Sequence, residues 1–154
     1  MRNSKDRKHS QVKAWEWFSK ALRLEAADTN GYVQCYTCST IKFWKEIGIG
    51  HYFPQGVNKG LKFDERNCHP QENSCNSFKH GNLAVYAQRL VKQYGPTILD
   101  LLAAKRAMKI KIDQSGFELM AEQYKERALK AAKQRGLSLE TNGKRQPVHG
   151  EQAQ

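Results

Sequence analysis

Nowhere in the 154-residue sequence does an apolar run approach the roughly 18 residues that a membrane span needs. The basic N-terminus, MRNSKDRKHS, lacks the apolar stretch that would make it a signal peptide. No membrane partner is expected, and the protein is expected to stay where it is made, in the cytoplasm. Cysteine is absent outside the window from Cys35 to Cys75, where all four fall. A secreted disulfide scaffold of this size would scatter them more widely. Acidic residues are scarce, 15 against 26 Lys and Arg, which leaves a net charge of +11 and a pI near 9.6. That balance favours a polyanionic partner, because each cation set against a phosphate releases counterions, and nucleic acid fits it better than a membrane surface.

The chain divides by pattern. Residues 1–10 are polar and basic without apolar periodicity and read as a mobile arm. From Gln11 to Ala27, Trp15, Phe18, Leu22 and Ala26 recur at three and four residues, the stripe of an amphipathic helix, and Thr29-Asn30-Gly31 ends it. Tyr32 to Phe53 is rich in β-branched and aromatic residues in short runs, which predicts two or three antiparallel strands with Cys35 and Cys38 at a turn. After Pro70 the helical period returns. A short segment near Asn73–Lys79 comes first, then Leu83, Tyr86, Leu90 and Tyr94 up to Gly95, then a helix from Pro96. A last helix carries Phe117, Met120, Tyr124 and Ala128, with Ser115 as N-cap and Glu118 completing a capping box. Residues 136–154 are polar and aperiodic and read as a disordered tail. The fold class is α+β, one domain over 11–135, and no internal repeat is visible.

The residues able to bind metal are concentrated. Cys35, Cys38, His51, Asn67, Cys68, His69, Cys75, Asn76 and His80 all fall in the β-rich segment and the short helix after it. Without an export signal, C-x2-C reads as half a zinc site, since two thiolates on a tight turn take adjacent corners of a tetrahedron. On a helix starting near Asn73, Asn76 and His80 are four residues apart and share a face, where they could bind one cation. A hairpin histidine beside such a pair can activate water while the cation neutralises a phosphate, and His51, with an ordinary pKa near 6.5, suits the proton transfer.

In that order, C-x2-C, Gly50-His51, Asn67 and Cys75-Asn76 resemble the HNH or ββα-metal nucleases. The zinc-knuckle setting looks like that of phage endonuclease VII. The resemblance to the NinG/Rap family of lambdoid phages is closer. It runs from WFSKALRL and DTNGYVQCYTC through FWKEIGIGHYFPQG and FDERNCHPQ to CNSFKHGN and QYG, covering roughly residues 12 to 95. It implies an HNH-type core with flanking helices, acting in the bacterial host cell as an endonuclease on D-loops and Holliday junctions. His51 would be the general base and Asn67 the middle Asn, holding the loop and orienting the histidine. Asn76 and His80 would ligate a catalytic Mg2+ or Mn2+, and Cys35, Cys38 and Cys75 a structural Zn2+. A homodimer and host or phage recombination proteins are candidate partners.

The sequence departs from the pattern twice. Gly50 stands where an acidic metal ligand often precedes the base, and Glu72 stands where a second C-x2-C needs cysteine. Cys68 is the preferred replacement for the fourth zinc ligand, with His69 and Glu72 as competitors. Lys42, Lys45, Lys59, Lys62, Arg66 and Lys79 flank the site in sequence and are expected to meet phosphate, whereas Lys105, Arg106, Lys109 and Lys111 lie farther along. The alternative function is a zinc-containing recombination accessory protein that binds DNA without cutting it.

Overall fold

The structure is a computed structural model that describes residues 4–54, 56 and 58–140. Two long helices, α1 (Ser4–Ala26) and α5 (Gln114–Arg135), pack along each other. Ala14, Phe18 and Ala21 of α1, and Phe117, Ala121 and Ala128 of α5, are buried, and the small residues let the two backbones approach. Helix α1 starts at Ser4 rather than Gln11, so residues 4–10 are helical and not the expected mobile arm. The reason is tertiary. Arg7 Nη2 donates to the carbonyl of Ile112 at 2.9 Å, and buried Ser10 donates to Glu118 at 3.3 Å, tying the first turns to the start of α5. The cap of α5 is Asp113, whose Oδ1 accepts from the Gly116 N–H at 2.8 Å. The expected capping box at Ser115 is therefore not formed, and Glu118 instead accepts from Gln114 and Ser10.

Two small antiparallel sheets lie beside this pair. β1 (Tyr32–Gln34) pairs with β2 (Ile41–Phe43) as a hairpin whose turn carries Cys35 and Cys38, as the pattern predicts. β3 (Gly48–His51) pairs with β4 (Cys68–Gln71), a strand the sequence does not announce because its residues are Cys, His, Pro and Gln. The register sets His51 opposite Cys68 and Gly50 opposite His69. The β3–β4 connection holds the short helix α2 (Lys59–Lys62), capped by Asn58, and a single turn at Glu65–Asn67, capped by Asp64.

After β4 the expected short helix is one wide π turn, Ser74–Phe78, followed by a tight 3-10 turn, His80–Asn82. α3 (Leu83–Tyr94) ends at Gly95 as expected, and α4 begins at Ile98 (Ile98–Ala107) rather than at Pro96. Tyr86, Leu90, Ile98 and Leu102 bury against Leu61, while Phe117, Ala128 and Ala131 bury against α1 and the first hairpin. The apolar faces of the last two helices thus close the core of one chain. Of the expected tail, Leu137 and Leu139 pack on the core, and residues 141–154 lie outside the described residues, as do 1–3 of the arm. Among the described residues no helix is long and apolar enough to cross a membrane.

Candidate functional site

Two sets of side chains gather the candidate residues, and the turn Ser74–Phe78 contributes to both, Cys75 to one and Asn76 to the other. The first is a thiol cluster: the Sγ atoms of Cys35, Cys38 and Cys75 lie within 4.8 Å of one another. Local hydrogen bonds build it. The Cys35 N–H donates to Thr40 O at 2.8 Å, the Tyr36 N–H to Pro70 O at 2.8 Å, and the Glu72 N–H to Cys35 Sγ at 3.3 Å. Burial works against ionising Cys38, but hydrogen bonds from Thr40, Cys35 and Cys75 outweigh it and bring the thiol down to about 7. Three soft donors at this spacing, one of them readily ionised, fit a zinc ion, and the cluster can bind one.

None of the three expected candidates completes the site. Cys68 points elsewhere: its thiol is in contact with the Lys62 carbonyl at 3.3 Å in the core beside Phe18 and Phe63, and burial pushes its pKa well above the usual thiol value. Its place opposite His51 in the register separates it from the hairpin turn. His69 has both ring nitrogens engaged, by Tyr86 at 3.0 Å and Tyr94 at 3.1 Å. It stacks on Tyr36 at 3.8 Å, and burial lowers its pKa to about 4. The Glu72 carboxylate is held by the Ser74 N–H at 3.0 Å and lies 3.9 Å from Lys42. Among the described residues no fourth Cys, His, Asp or Glu joins the three thiols.

The second set lines a cleft of about 430 Å³ formed by His51, Asn76 and His80 with Trp15, Ile49, Tyr52, Pro54, Gly81 and Leu83. Asn76 lies inside the π turn and His80 beyond its end, so they do not share one α-helical face, yet both reach the cleft. His51, at the end of β3, is 3.1 Å through Nε2 from the Lys62 carbonyl. A carbonyl only accepts, so Nε2 carries the proton and Nδ1 keeps its lone pair. The ring stacks on Trp15 with centroids 5.4 Å apart and planes at 22°. Burial lowers the His51 pKa, with the Lys62 ammonium acting the same way and the Lys62 carbonyl acting against it, so the neutral imidazole is favoured. Sequence periodicity reads Trp15 as part of a core stripe, and nothing in the sequence marks the Lys62 carbonyl as the partner of His51.

Asn67 is fully buried and does not line the cleft. Its Oδ1 accepts from the Phe53 N–H at 2.8 Å, and its Nδ2 donates to Phe53 O at 2.9 Å and Leu61 O at 3.1 Å. It clamps the backbone after His51 to the segment whose next carbonyl, that of Lys62, receives the histidine proton. By its contacts it positions; it is not a group that could reach a reacting atom.

The basic residues do not form one patch. Lys62 lies over the Trp15 ring at 5.0 Å, and exposed Lys79 adjoins His80. Lys59 lines a different groove, with Arg7, Lys8 and Asp113. Arg66 is paired with Asp64 at 2.9 Å, and together with Lys105 at 2.7 Å it outweighs burial and holds that carboxyl down at about 2. Lys42 faces Glu72, and Lys45 lies over Trp44 and donates to the Glu140 carbonyl, so neither borders the cleft. Conversely Arg106, distant in sequence, lies over the Phe53 ring at 5.3 Å.

Comparison with known proteins gives a consistent answer. The family described as "Bacteriophage Lambda NinG protein" matches residues 2–135. Protein ninG of Escherichia phage 933W is 36% identical over 66 residues, which is 43% of this chain and 32% of that protein. The namesakes in Salmonella phage P22 and Escherichia phage lambda are 36% and 35% identical over 66 residues, with the same shares. The matched segment thus spans about a third of the length of these curated relatives. No solved structure matches the chain. The chain belongs to the NinG family.

Proposed function

For this member of the NinG family we propose a metal-dependent DNA endonuclease that cuts branched recombination intermediates such as D-loops and Holliday junctions. One observation carries the reading: His51, Asn76 and His80, from a strand, a π turn and a 3-10 turn, share one cleft in which the His51 Nε2 proton is committed to a backbone carbonyl. His51 Nδ1 takes the proton of a water as that water attacks phosphorus. Trp15 and the Lys62 carbonyl fix the ring, and its lowered pKa keeps the base unprotonated at neutral pH. Asn76 and His80 would hold a Mg2+ or Mn2+ ion, which supplies neutralisation of phosphate charge and of the leaving oxygen. Two neutral donors suit an ion that keeps most of its own waters. Lys62, whose ammonium lies over the Trp15 ring, and exposed Lys79, next to His80, would meet the phosphate backbone near the cut without reading sequence. A zinc ion on Cys35, Cys38 and Cys75 would pin the first hairpin to the π turn.

The second reading, a DNA-binding accessory protein that does not cut, draws on the absence of any Asp or Glu among the cleft-lining residues. Cleavage of a labelled four-way junction beside a linear duplex of the same sequence, in Mg2+ and in Mn2+, separates the two. The nuclease reading expects junction-selective cutting. Tight binding with no product in either ion would favour the accessory reading.

A further inference from the structure

The turn that carries His80 has an unusual backbone. His80, Gly81 and Asn82 have φ values of 48, 80 and 49°, three successive left-handed residues of which only the middle one is glycine. Outside glycine such a conformation is uncommon, His and Asn tolerating it better than most, and its surroundings help to hold it. Here the surroundings belong to the thiol turn. The Asn82 Nδ2 donates to Thr37 O at 3.0 Å, and Thr37 stands between Cys35 and Cys38. The Gln71 Nε2 donates both to Thr37 Oγ1 and to Gly81 O, each at 2.8 Å. Thr37 Oγ1 lies 3.7 Å from Cys35 Sγ.

Gln71 is fully buried, and its orientation is fixed because the Gly81 carbonyl can only accept. Its Oε1 is left without a partner among the described residues, pressed against Gly50. A buried amide that leaves its oxygen unsatisfied must be held there by its nitrogen's two bonds and its packing.

We infer that Gln71 and Asn82 are positioning residues that carry the conformation of the Cys35–Cys38 turn to His80, so that the state of the thiol cluster sets the place of a cleft residue. The two bridges converge on Thr37 from the middle and the end of the left-handed turn, Gly81 through Gln71 and Asn82 directly. A change in the thiol turn therefore shifts the acceptors on which the His80 backbone depends. The importance of His80 for an ion rests on the nuclease reading, whereas the coupling itself does not.

The test uses the full chain, 15N-labelled and loaded with 113Cd2+ at the thiols. Gln71→Met keeps the side-chain volume and removes the donor, and Asn82→Gly keeps the left-handed backbone and removes the other bridge. In both, the His80 resonances are expected to move or broaden well beyond those of His51, while the 113Cd signal persists. Mn2+ binding followed by electron paramagnetic resonance is expected to weaken about tenfold, as for lost outer partners of a metal ligand. Unchanged His80 resonances in both variants would overturn the inference, and if Gln71→Met does not fold, Asn82→Gly decides alone. A turn that moves in a protein whose wild type binds no Mn2+ would support the coupling and count against the nuclease reading.

Discussion

Gln71 occupies the space in which a side chain at Gly50 would stand: a Cβ there would lie 1.9 Å from Gln71 Oε1 and 2.9 Å from Gln71 Cβ. Glycine at position 50 is thus a packing requirement, because the amide passes this point to reach Thr37 and Gly81. Gly50→Asp is expected to displace Gln71 and lower the Tm by roughly 3–9 °C, the cost of overpacking by about 1–3 kcal/mol. It is also expected to lower rather than raise any cleavage activity. Thermal unfolding and a junction assay check both, and a stable, more active variant would contradict the packing argument.

The thiol cluster gives a contrast between two cysteines. Cys38→Ala is expected to reduce bound zinc well below one equivalent and to lower thermal stability. Cys68→Ala is expected to leave zinc content unchanged and to cost about 1–3 kcal/mol through the cavity left in the core beside Phe63. Metal analysis with denaturant unfolding of both variants distinguishes them. Loss of zinc in the Cys68 variant would reinstate it as a ligand.

His69 makes stability depend on pH. Its pKa falls from 6.5 to about 4 in the folded chain because burial disfavours the imidazolium. As pH falls below 6.5 the unfolded chain takes up the proton first, so stability is complete above that value and is lost progressively towards pH 4. The loss amounts to at most about 3 kcal/mol. Urea unfolding at pH 7.5 and pH 4.5 should show it, and His69→Phe should flatten the dependence in that window. An equal pH dependence in the variant would assign the effect to other groups.

Asn67 closes three hydrogen bonds in a fully buried position. Asn67→Ala leaves the Phe53 N–H and the Phe53 carbonyl unpaired, while Leu61 O keeps the Asp64 N–H, and is expected to destabilise by roughly 2–4 kcal/mol. Asn67→Asp keeps the acceptor for Phe53 but loses the donor to Phe53 and Leu61. Denaturant unfolding reports the cost, and the His51 ring resonances report whether the clamp orients the histidine. Unmoved His51 resonances in a folded variant would limit Asn67 to stability.

The parts of this fold that are legible in the sequence are those determined locally. Phe18 and Leu22 mark α1 because a stripe at three and four residues survives any tertiary context, and Cys35 and Cys38 mark a turn because their spacing makes one. β4 is illegible because Cys68, His69, Pro70 and Gln71 offer no apolar alternation. What buries them is distant in sequence: Tyr86 and Tyr94 for His69, Thr37 and Gly81 for Gln71. The same distance explains the fourth zinc ligand. Cys68 is near Cys75 in the chain, but the pairing of β3 with β4 turns it towards Lys62. Residues 4–10 become helical through contacts of Arg7 and Ser10 with α5, which no local pattern announces. The gathering of His51, Asn76 and His80 follows the order of the motif, whereas the roles of Trp15 and Lys62 emerge only in three dimensions.

In the proposed function His51 performs proton transfer during phosphodiester cleavage. The most direct test is single-turnover cleavage of a labelled four-way junction in Mg2+ by wild type and His51→Ala, with junction affinity measured on the same preparations. A general base at His51 predicts a fall in cleavage rate of at least about 100-fold, the usual range for its loss, with affinity almost unchanged. Cleavage that persists in the variant, or a parallel loss of binding, would contradict it.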